Sequence, residues 1–149
     1  AYGQMYQAAS QDGITLWISS GYRSPTLQAQ LYQQEIDNNL AKGMTENEAV
    51  EAADRAVQKP GYSEHNTGLA MDFNTVNDSF KNTNTYAWLM EHAEDYGFVL
   101  RYPEDKEDIT GIMYEPWHFR YVGVEHAKKM NELHMCLEEY IEYVRSQQS

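Results

Sequence analysis

The sequence predicts an α+β domain: a small, mainly antiparallel central sheet flanked by helices. Three observations carry this prediction. The strand-like runs are short, few and far apart, and longer segments with helical spacing lie between them. No repeat, low-complexity tract or Pro/Gly-rich linker divides the chain. At 149 residues, 42% of them apolar, the chain is long enough for one hydrophobic core and too short for two, so residues 1–149 are expected to form a single domain.

Each element has a local reason. Tyr2, Met5, Tyr6 and Ala9 recur at helical spacing and predict an N-terminal helix. ITLWISS, residues 14–20, alternates Ile14, Leu16 and Ile18 on one face and predicts a strand. After the turn GYRSP, the Leu-, Gln- and Ala-rich stretch from Thr26 to Ala41 predicts a helix. Thr45 with Glu48 forms a capping box that opens a second helix, running to about Val57. Pro60-Gly61 ends it. Leu69 to Asn74 is expected as a strand, and Tyr86 to Tyr96 as a helix stopped by Gly97. Phe98 to Tyr102 and Trp117 to Val122 complete the expected strands. Helical spacing then runs from about Val124 to Arg145, with a break expected near Asn131 to His134.

Composition excludes several functions. The net charge of −12 leaves no basic stripe to neutralise phosphates, which argues against nucleic-acid binding and against attraction to anionic surfaces. No run of eighteen apolar residues predicts a membrane span. The first residues, AYGQMYQAAS, do not have the pattern of a signal peptide. The chain opens on Ala1, so an export signal or anchor could precede it. Cys136 is the sole cysteine, which removes internal disulfides and thiolate zinc clusters; its apolar neighbours predict a packed core thiol.

Chemistry concentrates in three segments. The first is GYSEHNTGLAMDFN, residues 61–74, where Asp72 sits within an apolar run in which an unpartnered carboxylate is costly to bury. Strand periodicity points Leu69, Met71 and Phe73 one way and Ala70, Asp72 and Asn74 the other. Asp72 is then either a surface aspartate on a half-exposed strand or a carboxylate with a ligand beside it. The second segment is EPWHFRYVG, residues 115–123, in which His118 projects opposite a row of aromatics. Hydrolytic zinc sites use three protein ligands and leave a position for water, and His65, Asp72 and His118 would form such a set. A further carboxylate must then take a proton from water and return it to the leaving amine; Glu115, three residues before His118, suits that task. The third segment is SGYRSPTLQ, residues 20–28. Arg23, in a turn between strand and helix, is an ordinary loop arginine, a group for a substrate carboxylate, or a donor to a developing oxyanion.

Ser63, His65 and Asp72 in the pattern S-x-H-x(6)-D, followed by Glu115 to His118 as E-x-W-H, resemble the LAS zinc peptidases, the lysostaphin, D-Ala-D-Ala metallopeptidase and hedgehog group. Within it, SGYRS, PGYSEHNTGLAMDF and EPWHFRYVG are similar to VanY-type D-alanyl-D-alanine carboxypeptidases. The resemblance runs from about Leu16 to Tyr140 and includes the tail LEEYI. It implies a LAS/hedgehog-type fold and a zinc enzyme that removes the C-terminal D-alanine of peptidoglycan stem peptides. His65, Asp72 and His118 would hold Zn2+, and Glu115 would be the general base. Arg23 would polarise the scissile carbonyl or hold the terminal carboxylate, and Ser63 and Gln28 would line the substrate pocket. Peptide substrate and D-stereochemistry come from the resemblance alone. It places the protein at the bacterial cell envelope, with a cytoplasmic location as the alternative, and a monomer is expected. An L,D-carboxypeptidase on tetrapeptides, or a D-Ala-D-Ala dipeptidase, would share this site and differ in loops such as 74–85 and 103–113. A non-catalytic zinc-stabilised binding domain would need the ligands but neither Glu115 nor Arg23. His92, His126 and His134 are not assigned to metal.

Overall fold

The computed structural model describes residues 1–20, 24–57, 67 and 69–148. Helix α1 (Tyr2–Gln11) buries Met5 and Ala9 completely, one turn apart, as their spacing requires. The strand expected over 14–20 is shorter: only Ile18–Ser20 pair, as β1. Leu16 is fully buried, yet Trp17 and Ile18 are 51% and 41% exposed, so the alternation fails at Ile18. Asn74 explains this. Held in the left-handed region (φ 54°), it accepts the Trp17 N–H through Oδ1 at 3.0 Å and donates Nδ2 to the Thr15 carbonyl at 2.9 Å. Its own N–H donates to the Trp17 carbonyl at 3.1 Å. A side chain thus satisfies backbone that a longer strand would have paired.

Helix α2 (Pro25–Ala41) is capped by Ser24, which accepts the Leu27 N–H at 3.2 Å. Helix α3 (Glu46–Ala56) opens with both arms of the Thr45/Glu48 capping box, at 3.2 and 3.0 Å. The two form a hairpin joined by polar bonds: the Tyr32 hydroxyl donates to Asp54 at 2.5 Å and Asn39 Nδ2 to the Ala49 carbonyl at 3.1 Å. Among the described residues, neither helix adds a side chain to the two apolar clusters. Arg55 ties the hairpin to the segment leading into Glu115, through an ion pair with Glu107 at 2.6 Å and a bond from the Met113 N–H to the Arg55 carbonyl at 3.2 Å.

Strands β2 (Ala70–Phe73), β3 (Phe98–Leu100) and β4 (His118–Tyr121) join β1 in an antiparallel sheet of order β1-β2-β4-β3. The registers align Ala70 with Arg120 and Val99, Met71 with Phe119 and Leu100, and Asp72 with His118. One face carries Met71, Phe73, Phe98, Leu100 and Phe119, and packs with residues of α1 and of α4 (Asn84–His92) in the main core. On the other face Val99 packs with Ala127, Met130 and Tyr140 of α6 (Val124–Leu133) and α7 (Leu137–Gln147). Asp72 and His118 lie beyond Val99 on that same face.

Helix α4 starts two residues earlier than periodicity indicates, because Thr83 Oγ1 caps it by accepting the Tyr86 N–H at 3.1 Å. It continues as a 3₁₀ turn over Ala93–Tyr96 and stops at Gly97, where φ is 89°. A Cβ there would lie 2.8 Å from the Tyr121 ring and 3.0 Å from the Gly123 backbone, so glycine is required on two counts. A short helix, α5 (Glu107–Thr110), forms in a stretch without apolar periodicity. The break between α6 and α7 falls at His134, whose φ is 55°. Cys136 is buried at the start of α7, and burial pushes its thiol pKa up.

Candidate metal and active site

Asp72 and His118 are register partners on neighbouring strands, so both side chains leave the same face of the sheet side by side. The Asp72 Oδ1 to His118 Nδ1 distance is 2.9 Å. Asp72 is 5% and His118 4% exposed, which removes the surface reading of the aspartate. Glu115 approaches from the turn before β4, with Oε1 3.7 Å from the same Nδ1. Its N–H donates to the Tyr102 carbonyl at 3.1 Å, and its carbonyl accepts the His118 N–H at 3.3 Å. The buried Pro116 stiffens that turn. Two carboxylates therefore face one imidazole nitrogen in a nearly dry setting.

These donors fit a zinc ion. Ligand distances of about 2.0–2.2 Å in a tetrahedron place neighbouring donor atoms about 3.3 Å apart, close to the separation of Asp72 Oδ1 and His118 Nδ1. An anionic oxygen beside a neutral nitrogen is a common zinc donor pair, and a cation would offset the charge of a carboxylate that burial otherwise penalises. Among the described residues no group of three His, Cys, Asp or Glu side chains forms a complete metal site. The third expected ligand, His65, lies outside the described residues, as do Ser63 and Arg23. Gln28 is described: its side chain is 1% exposed, in the second turn of α2 just after the segment that carries Arg23. The other three histidines are engaged elsewhere. The His92 ring packs on Trp88 at 4.8 Å, His126 Nδ1 meets the Tyr140 hydroxyl at 2.7 Å, and the exposed His134 meets Asp105 at 3.1 Å.

Two neighbours of the site escape sequence reasoning. The Tyr102 ring, 3% exposed, lies 5.0 Å from the His118 ring, and Tyr114, next to Glu115, shares a 2.7 Å bond with the Tyr86 hydroxyl. Burial and that bond raise the Tyr114 pKa. Both residues occur in plain view in RYP and YEPWH, but only the register of β3 on β4 brings Tyr102 beside His118.

The four-stranded antiparallel sheet, with a buried Asp–His pair across two strands and a glutamate at the head of the second, agrees with the LAS-type fold that the sequence motifs resemble. A profile of the VanY D-alanyl-D-alanine carboxypeptidase family matches residues 1–124, and the chain belongs to that family. It is 41% identical over 137 residues to a D-alanyl-D-alanine carboxypeptidase of Enterococcus faecalis, covering 92% of this chain and 51% of that protein. It is also similar to a crystal structure of the vancomycin-resistance D,D-pentapeptidase VanY, a variant from a VanB-type cassette in complex with Zn(II): TM-score 0.85, 42% identity, 94% of this chain and 79% of that one. The LD-carboxypeptidase LdcB is similar as well, with TM-score 0.82 and 39% identity over 95% of this chain and 64% of that one. The chain spans about half the length of the curated relatives it matches. Among the described residues no helix is long and apolar enough to cross a membrane.

Proposed function

We propose that residues 1–149 form one zinc-dependent D,D-carboxypeptidase domain that hydrolyses the terminal D-Ala-D-Ala bond of peptidoglycan stem peptides. The observation that carries this reading is the convergence of Asp72, His118 and Glu115 on a single buried point, within 3.7 Å of His118 Nδ1. His65, Asp72 and His118 would hold a zinc ion, which would supply Lewis acidity and a water acidic enough to ionise near neutral pH. Glu115 takes a proton from the attacking water and passes it to the leaving D-alanine amine. Its low exposure, 12% for the side chain, keeps bulk water from competing for that proton. Arg23 polarises the scissile carbonyl or pairs with the terminal carboxylate, while Ser63 and Gln28 line the pocket. Such a substrate places the protein at the cell envelope.

Retention of Glu115 supports an enzyme over a zinc-stabilised binding domain, which needs no proton shuttle. The decisive experiment is Glu115→Gln: the variant should keep about one zinc per chain by elemental analysis and lose about 10²- to 10⁴-fold in hydrolysis. Unchanged turnover would remove Glu115 from the mechanism. A second reading, an L,D-carboxypeptidase that trims tetrapeptides, is favoured by the similarity to LdcB. Pentapeptide, tetrapeptide and free D-Ala-D-Ala offered side by side separate the D,D-, L,D- and dipeptidase activities by whichever releases D-alanine fastest.

A further inference from the structure

Helix α7 lies beyond the family match at residues 1–124, yet a chain of contacts joins it to the site. The LEEYI stretch, residues 137–141, opens that helix, and its Glu138 grips Arg101 in a two-pronged ion pair: Nη1 to Oε1 at 2.7 Å and Nη2 to Oε2 at 3.0 Å. The Arg101 guanidinium sits 4.7 Å from the centre of the Tyr102 ring. That ring in turn lies 5.0 Å from the His118 ring, tilted by 37°. The backbone reinforces the order, because the Arg101 N–H donates to the His118 carbonyl at 3.1 Å and the Tyr102 carbonyl accepts the Glu115 N–H at 3.1 Å. Two consecutive residues thus hold the main chain of both His118 and Glu115, and their side chains form a stack ending on the imidazole.

A pair placed only for stability has no need of this arrangement. The Arg101 side chain is 11% exposed and both Nη atoms are held by the Glu138 carboxylate in a two-pronged geometry, so its position is tightly determined. We propose that Arg101 is a positioning residue for the reaction, anchored by Glu138 and acting through Tyr102. The stack sets the plane of the His118 ring and so aims Nδ1 at Asp72 and Glu115. Glu138 also places a negative charge against the guanidinium, which offsets its cation beside a site proposed to hold a metal cation. This inference rests on the reading of His118 as a metal ligand.

The test uses the whole chain loaded with Co(II) in place of zinc, whose visible bands report ligand geometry, together with chelator competition for zinc and steady-state kinetics on the pentapeptide. Glu138→Gln and Tyr102→Leu should each shift the cobalt bands and lower zinc affinity or kcat about tenfold, with KM within about twofold. Tyr102→Phe keeps the ring and should restore the wild-type bands and rate. A merely structural role would lower the melting temperature while leaving bands, affinity and kcat unmoved, and that result in both Glu138→Gln and Tyr102→Leu overturns the proposal. Arg101→Lys, which keeps charge but loses the fork, should follow Glu138→Gln; if it does not fold, the other two variants decide. A wild-type chain that takes up no cobalt and releases no D-alanine overturns the functional reading and this inference with it. A competent wild type with unmoved variants overturns this inference alone.

Discussion

Replacing Asp72 by asparagine separates its hydrogen bond to His118 from the metal-ligand role proposed for it. The side chain is 5% exposed and its Oδ1 lies 2.9 Å from His118 Nδ1. Asparagine keeps the shape and an oxygen that can accept from that nitrogen, so metal-free stability should change by no more than about 1 kcal/mol. The response to zinc should differ. At free zinc 100-fold above its Kd, the wild type gains about 2.7 kcal/mol. Loss of the charged ligand should weaken binding by at least the roughly 100-fold seen when supporting groups of metal sites are removed, which brings the variant's gain at the same zinc concentration to about 0.4 kcal/mol. The difference, about 2.3 kcal/mol, corresponds to a zinc-induced rise in Tm smaller by about 5–9 °C for a chain of this size. Urea or thermal unfolding of both proteins, each with and without zinc, reads this out. If Asp72→Asn gains as much from zinc as the wild type, Asp72 does not hold the metal.

Three further outcomes follow from the fold. Phe73 is fully buried and packs against Tyr2, Phe98 and Phe119 with ring centres 5.9, 6.2 and 5.8 Å away; Phe73→Ala should cost about 3–5 kcal/mol in denaturant unfolding, and a loss below about 1 kcal/mol would show that it is not central to the core. The Tyr32 hydroxyl, donating to Asp54, has its pKa raised to about 12 from an ordinary 10.0. Since the folded value is the higher one, its contribution to the α2–α3 hairpin is whole below pH 10 and is lost as pH climbs through about 12. Phenolate absorbance should show Tyr32 among the late-titrating tyrosines, with Tyr114, and Asp54→Asn should bring one of that group back towards 10; an unaltered titration would contradict the bond. Cys136 is 1% exposed with its thiol pKa raised, so thiol reagents should label it only after unfolding; fast labelling of the native chain would place it elsewhere.

Local signals accounted for much of the architecture. The Thr45/Glu48 box, the halt at Gly97 and the break at His134 are contacts within a few residues, and such contacts are readable from one chain. The truncation of the strand at residues 14–20 was not readable, because Asn74 intervenes from more than fifty positions away. The same distinction holds at the site. Residue types and motif spacing alone single out Asp72, His118 and Glu115 as chemically able, since a carboxylate in an apolar run and a histidine on a strand face need partners wherever they fold. That Asp72 is buried against His118, and that Tyr102 and the Glu138–Arg101 pair stand behind the imidazole, depends on strand register and on the docking of α7. Register is a choice among pairings of nearly equal local cost, and long-range packing of the two sheet faces makes it.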